Sequence, residues 1–224
     1  MNLAPIVLFV YNRPWHTRQT LAALNSNHLA DKSELFIFAD GPQSVNDPEE
    51  LRNIEEVKTV LREKQWCGKV TIFGNSGNIG LAASIIQGVT KIINEFGRII
   101  VLEDDLITSP GFLTYMNEAL ELYKDYSEVF HISAYIFPLK KKLPDTFFYN
   151  VNSCWGWGTW ARAWKKFNNS ASDLHKQLIS KGYNPVKFNG GQADAFYYQL
   201  KANMDSTIKT WAILWHTTIY INDG

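Results

Sequence analysis

The sequence predicts a mixed α/β domain on a mostly parallel, doubly wound sheet with flanking helices. Three observations carry that expectation. Apolar runs of strand length end abruptly in polar clusters, helical apolar spacing follows each run, and the two patterns alternate through the first half of the chain. At 224 residues, 46% apolar and 14% aromatic, the chain has enough material for one sizeable core, and its aromatic load excludes disorder.

The elements follow in order. Ala4 to Tyr11 is a continuous apolar run ended by Asn12-Arg13-Pro14, the pattern of a strand buried on both faces. Pro14 suits a first helical turn, and Thr17, Thr20, Leu21 and Leu24 continue at helical spacing. Glu34 to Asp40 is a second buried strand, stopped by Gly41-Pro42. Asp47-Pro48-Glu49-Glu50 opens a helix with acidic residues in its first turn, and Leu51, Ile54, Val57, Val60 and Leu61 mark its apolar face. Lys69 to Phe73 is a short strand, and Gly74 to Gly80 a flexible loop. Leu81 to Phe96 is a helix, Arg98 to Leu102 a strand ending in Glu103-Asp104-Asp105, and Gly111 to Tyr123 a helix. The chain ends at Asn222-Asp223-Gly224, after a run that reads as a strand. Ligands on such sheets bind at the carboxyl ends of the strands. Asn12-Arg13, Asp40, Asn75 to Asn78 and Glu103 to Asp105 all fall at such ends, so the pattern predicts that they converge.

Charge and composition narrow the functional classes. Twenty-two basic residues balance twenty-two acidic ones, so no basic field attracts nucleic acid. Cys67 and Cys154 are too few and too far apart for a cysteine zinc site. Two reduced thiols in a cytoplasmic protein are the plainer reading, and a single long-range disulfide stays open. No apolar run approaches the ~20 residues of a membrane-spanning helix, and no basic segment precedes the first run as in a secretory signal. The expectation is a cytoplasmic protein with at most peripheral contact at the inner face of the membrane. Lys140-Lys141-Lys142 reads as a solvated loop that offers a weak handle for anionic lipid.

Glu103-Asp104-Asp105 is the strongest chemical signal. Adjacent carboxylates at a strand tip repel one another unless a cation intervenes, and hard Mn²⁺ or Mg²⁺ takes oxygen ligands and shares them with phosphate. The alternative is a solvated acidic turn. The loop Gly74 to Gly80 lacks the lysine of a P-loop and the glycine order of a dinucleotide-binding turn. Arg13 has the planar fork that clamps phosphate. Six of the eight tryptophans lie beyond residue 150, several in Ser153-Cys-Trp-Gly-Trp-Gly-Thr-Trp160. Their indoles suit either a core or the apolar faces of sugars. The five histidines show no metal spacing.

Val101-Leu-Glu-Asp-Asp-Leu-Ile-Thr-Ser-Pro-Gly-Phe-Leu-Thr-Tyr115, followed by Val129 to Tyr135, resembles glycosyltransferases of the GT-A fold. The similarity is to the N-acetylglucosaminyltransferase I group and to bacterial family-2-like sugar transferases. Pro5 to Pro14, Gly77 to Ser84 and Ser153 to Trp160 fit the same pattern in the same order. The resemblance implies a single GT-A domain over 1–224, with a nucleotide-sugar-binding half over 1–110 and an acceptor-side half over 111–224. It implies a nucleotide-sugar donor, usually a UDP-sugar, and Mn²⁺ or Mg²⁺ on a DxD-like motif. Asp105 would be the direct metal ligand. Glu103 and Asp104 would hold metal-bound water or the donor's hydroxyls, Tyr11, Asn12 and Arg13 would approach the nucleotide, Asp40 would read the base, and Asn78 would line the donor pocket. Trp155 and Trp157 fall on the acceptor side, where a glycan or lipid-linked glycan, as in surface polysaccharide synthesis, would bind.

Two departures qualify the match. Relatives carry an aspartate and an arginine in the region that here reads Thr207 to Trp215, where Lys209 and Leu214 stand instead; Asp194 and Asp205 are the nearby candidate bases. Relatives also continue beyond the point where this sequence stops, so a C-terminally truncated piece is expected. A sugar nucleotidyltransferase would need a basic glycine-rich loop after the first strand, which Asn12-Arg13-Pro14-Trp15 is not. A catalytically impaired nucleotide-sugar or carbohydrate-binding module of the same descent is the remaining alternative.

Overall fold

A computed structural model describes residues 2–138, 140, 142–191 and 194–224. A six-stranded sheet runs through it. Strands β1 (Ile6–Val10), β2 (Glu34–Ala39), β3 (Lys69–Gly74) and β4 (Arg98–Glu103) are parallel, with β1 paired to both β2 and β4. Beyond β4 lie the antiparallel β6 (Trp157–Trp160) and β5 (Ile132–Ser133), giving the order β3-β2-β1-β4-β6-β5. The helices between the parallel strands are α1 (Pro14–Asn25), α2 (Pro48–Arg62) and α3 (Leu81–Phe96); α4 (Phe112–Leu122) follows β4.

The pleat of β1 divides the core into two layers. Ile6, Leu8 and Val10 pack with Leu21 and Leu24 of α1, Val57, Val60 and Leu61 of α2, and Leu113, Met116 and Leu120 of α4. Val7 and Phe9 point the other way, against Ile85, Val89, Ile92 and Ile93 of α3. Each such side chain contributes roughly 1.5–3 kcal/mol by leaving water. Gly88 lets α3 approach the sheet closely, because a Cβ there would lie 2.7 Å from the Phe9 ring. α2 begins as its sequence suggests: the Asp47 carboxylate accepts from the backbone N–H of Glu49 (3.0 Å) and Glu50 (3.1 Å), with Pro48 in the first turn.

Past Tyr123 the chain turns to short helices: α5 (Ala161–Trp164), α6 (Ala171–Ser180), α7 (Pro185–Phe188), α8 (Ala195–Met204) and α9 (Trp211–Ile221). The terminal run expected as a strand is the helix α9. Eight of its 11 residues are buried, by the α3 layer on one side and by Leu174, Leu178, Phe188 and Leu200 on the other. A helix enclosed all round has no polar stripe, so its sequence lacks a helical period and imitates a buried strand. Both cysteines are free thiols. None of the described helices is long and apolar enough to cross a membrane.

Candidate functional site

β1 and β4 are neighbours in register, Phe9 opposite Glu103, so the segments that follow them emerge side by side. Arg13 thereby meets the acidic triplet. Its guanidinium pairs with the Asp104 carboxylate through Nη2, with Nε 3.4 Å from the other oxygen, and Nη1 lies 3.1 Å from Asp105 Oδ2. Asp104 is buried, with a side chain 3% exposed, whereas Asp105 is 45% exposed and Arg13 44%. From α1, the Thr20 hydroxyl donates to the Asp104 backbone carbonyl at 2.8 Å. Asn12 sits half-buried in the bend between β1 and Arg13.

Electrostatics within the triplet differ by position. Burial first, and then the charges of Asp105 and Asp104, push the Glu103 carboxyl up to about 7 against the opposing pull of Arg13. Burial also lifts the Asp104 carboxyl above its ordinary value, against the pull of Arg13. Burial lowers the Arg13 guanidinium, but Asp104 and Asp105 together outweigh it and hold Arg13 above its usual range. The triplet is therefore one anionic group with a built-in counter-charge.

Asp40, at the end of β2, organises the loop after β3. Its carboxylate accepts from the backbone N–H of Gly41 (3.0 Å), Ile79 (3.1 Å) and Gly80 (3.0 Å), and from the Asn75 amide (3.1 Å). Asn78 donates to the Gly41 carbonyl at 3.2 Å. Gly41 is required by close approach: a Cβ there would lie 2.6 Å from Gly77 N and 2.7 Å from Asn75 O. Asp40 and Asn78 thus tie the loop after β2 to the loop after β3.

Tyr11 donates to the Glu50 carboxylate, which also accepts from the backbone N–H of Gln43 (2.8 Å) and Ser44 (3.1 Å). Glu50 is 8% exposed. The sequence marked it only as one of two acids in a first helical turn, and its position three residues after the Asp47 cap was the signal for a carboxylate that folds back on the preceding loop. Tyr11, Asp40, Asn75, Ile54, Lys58 and Arg62 are among the residues lining a cavity of about 180 Å³ at this end of the sheet. A larger hollow, about 660 Å³, lies near Asn2, Glu34 and Glu118, at the opposite ends of the strands and away from the polar clusters.

The aromatic segment separates into two roles. Trp157 is fully buried, between Trp211 (ring centroids 5.2 Å apart) and the near-parallel ring of His131 (5.2 Å). It therefore leaves the acceptor-side set and belongs to the core. Trp155 is 49% exposed. The antiparallel register with β4 ends at Val101 opposite Trp157, and Gly156, with φ 73°, turns the chain between β6 and Trp155. Tyr135 and Phe137, which the sequence did not mark as site residues, complete an aromatic cluster with Trp155 at centroid distances of 4.8 and 5.6 Å. His131 is held as a neutral ring: Nδ1 accepts from Trp215 Nε1 at 3.1 Å and Nε2 donates to the Ser153 carbonyl at 2.9 Å.

Asp194 and Asp205 bracket α8, at its N-cap and C-cap, and both are exposed. Asp194 has a left-handed backbone, φ 41°, and lies near Tyr183. Among the described residues, no hydrogen bond or ion pair joins either aspartate to the acidic triplet. Lys140 and Lys142 flank Lys141, which lies outside the described residues, so the basic loop of the sequence stays an expectation.

The donor set bears on a metal. Among the described residues no group of three or more His, Cys, Asp or Glu side chains converges as a metal cage. Hard oxygen ligands are nevertheless present, above all the half-exposed Asp105 carboxylate. That fits a cation held by one or two carboxylates and completed by ligand phosphates, not a resident structural ion.

No protein-family model matches the chain, and no curated protein matches it. Among solved structures, the chain is similar to S. aureus TarS 1-349, with 10% sequence identity and a TM-score of 0.37. That match covers 54% of this chain and 33% of the other, so the chain spans about a third of that structure's length.

Proposed function

We propose that the chain is a GT-A-type glycosyltransferase that moves a sugar from a nucleoside-diphosphate donor, of UDP type, to a hydroxyl of a glycan. The observation that carries this reading is the convergence, at the carboxyl ends of adjacent parallel strands, of an acidic triplet, the forked cation Arg13 and the Asp40 turn. The reading divides the chain into a donor half over 1–110 and an acceptor half over 111–224.

On this reading Asp105 holds Mn²⁺ or Mg²⁺. The ion, when bound, supplies Lewis-acid neutralisation of the charge that develops on the leaving diphosphate. Arg13 presents N–H donors to the same phosphates. Tyr11 and the small cavity receive the base, and Asp40 acts on it by holding the turn that carries Asn78. Glu103 orients donor hydroxyls, and Asp104, buried beneath Arg13, acts on the donor by holding that guanidinium. Trp155, with Tyr135 and Phe137, offers the C–H faces of an acceptor sugar an exposed apolar surface. Asp194 and Asp205 stand as the candidate bases that would take the acceptor proton. Lipid-linked acceptors at the inner membrane face are compatible with this arrangement.

The test is a thermal-shift panel of UDP, GDP, CDP and dTDP with and without Mn²⁺, on the wild type and on Asp105→Ala. Ligand bound only to the folded state raises the melting temperature. We expect a shift for UDP that requires Mn²⁺ and disappears in Asp105→Ala, with the unliganded melting temperature unchanged. Silence across the panel, or an equal shift in the variant, overturns the metal-bound donor site.

A further inference from the structure

We infer that Arg13 is a built-in counter-cation that makes divalent-cation binding at Asp105 depend on a diphosphate being present, and this rests on the donor-site reading above. The two arms of its guanidinium differ. One lies on the buried Asp104 carboxylate, contacts both of its oxygens and neutralises a charge that has no other ion-pair partner among the described residues. The other, Nη1, lies 3.1 Å from Oδ2 of Asp105 in a pair that is nearly half-exposed on both sides.

The buried arm is an anchor. Removing it would leave the Asp104 charge buried and alone, a costly arrangement. The outer arm is an exchangeable contact, since exposed ion pairs are weak. It occupies the most exposed carboxylate of the triplet. A divalent cation arriving alone must compete with Nη1 for Oδ2 and gains only one well-exposed ligand in return. A diphosphate changes both sides of that balance. Its oxygens give Nη1 an alternative acceptor suited to a planar fork, which frees Asp105, and they add ligands for the cation. Arg13 is thus a positioning residue that couples two ligands, each favouring the binding of the other.

The coupling gives a test in which two affinities move in opposite directions. Arg13→Lys keeps a positive charge to partner Asp104, but a single ammonium cannot span both carboxylates with the geometry of a fork. Titrations of Mn²⁺ alone, UDP alone and UDP with saturating Mn²⁺, read by calorimetry and by the electron-spin signal of free Mn²⁺, are made on wild type and variant. We expect Mn²⁺ alone to bind the variant about fivefold more tightly, the scale of one exposed ion pair. UDP alone should bind it more weakly, and the enhancement of Mn²⁺ binding by UDP should shrink.

A general weakening of the fold would lower both affinities together, so the opposed signs separate coupling from damage. Equal Mn²⁺ affinities in the two proteins, with UDP-dependent Mn²⁺ binding intact, overturn the inference and leave the donor-site reading standing. No Mn²⁺ binding to either protein under any condition overturns both. If Arg13→Lys does not fold, Asp104→Asn/Arg13→Lys, which removes the buried charge as well, is measured in its place against Asp104→Asn with the same expected signs.

Discussion

At the scale of single residues, charge placement explains more than residue type. Three carboxylates stand in a row at the tip of β4, yet Asp104 is buried and ion-paired, Asp105 is open, and Glu103 is pushed up to about 7 by burial first and by its acidic neighbours second. The sequence made the triplet visible but not these differences, because they depend on which residues of α1 and of the β1 end cover each position. His216 shows the same gap. Its ring nitrogens lie 2.7 Å from Asn152 Oδ1 and 2.8 Å from the Phe188 carbonyl, and burial lowers it from 6.5 to about 4. Between those values the unfolded chain binds more protons than the folded one. Acid therefore destabilises the fold by at most about 1.4 kcal/mol per pH unit for this residue, starting as pH falls below 6.5 and levelling off near 4. Urea unfolding of His216→Gln at several pH values should show a flatter decline over that window. A slope equal to that of the wild type would place the acid sensitivity elsewhere, His131 being the next residue to test, since burial lowers it in the same way.

At the scale of elements, the alternating half of the chain was legible and the aromatic half was not. Each parallel strand and each helix from α1 to α4 has a regular period and a polar or glycine stop, so bounds such as Leu81–Phe96 could be read directly. The region of β5, β6 and α5 to α9 consists of short pieces, and its tryptophans fit either a wall or a core. The structure decides between these through β6: alternate residues of a strand face opposite ways, and Trp157 turns into the layer shared with Trp164, Trp211 and Trp215. Its indole Nε1 is buried without a hydrogen-bond partner among the described residues. Trp157→Ala should therefore cost about 3–5 kcal/mol, measured by denaturant unfolding. Trp157→Phe should cost much less, because no hydrogen bond is lost and a ring still fills the stack. Comparable losses in the two variants would show that the indole N–H has a partner after all.

At the scale of the whole molecule, one decision of topology assembles the site. Placing β1 between β2 and β4 brings together residues from widely separated parts of the chain, so that Arg13, Asp40 and Glu103 to Asp105 all lie at the same end of one sheet. The convergence was readable in outline, since polar clusters at successive strand ends imply a common edge in any doubly wound sheet. The strand order was not readable, because periodicity says nothing about who pairs with whom. Native-state amide exchange should find β1 the slowest segment, since it is hydrogen-bonded on both sides and buried throughout. Protection of β1 no greater than that of the edge strand β3 would argue against its central place.

The position of β1 also has a consequence in time. β1 can bond to Leu35 and its neighbours soon after they are synthesised, but its other edge must wait until Ile100 and Val101 exist. Until then a wholly apolar strand exposes one open edge. The closing step joins distant parts of the chain and is slow for that reason. A nascent chain halted before β4 would present a sticky, unfinished half-sheet to the cell's chaperones, and completion of β4 would at one stroke seal the edge and create the acidic end of the site.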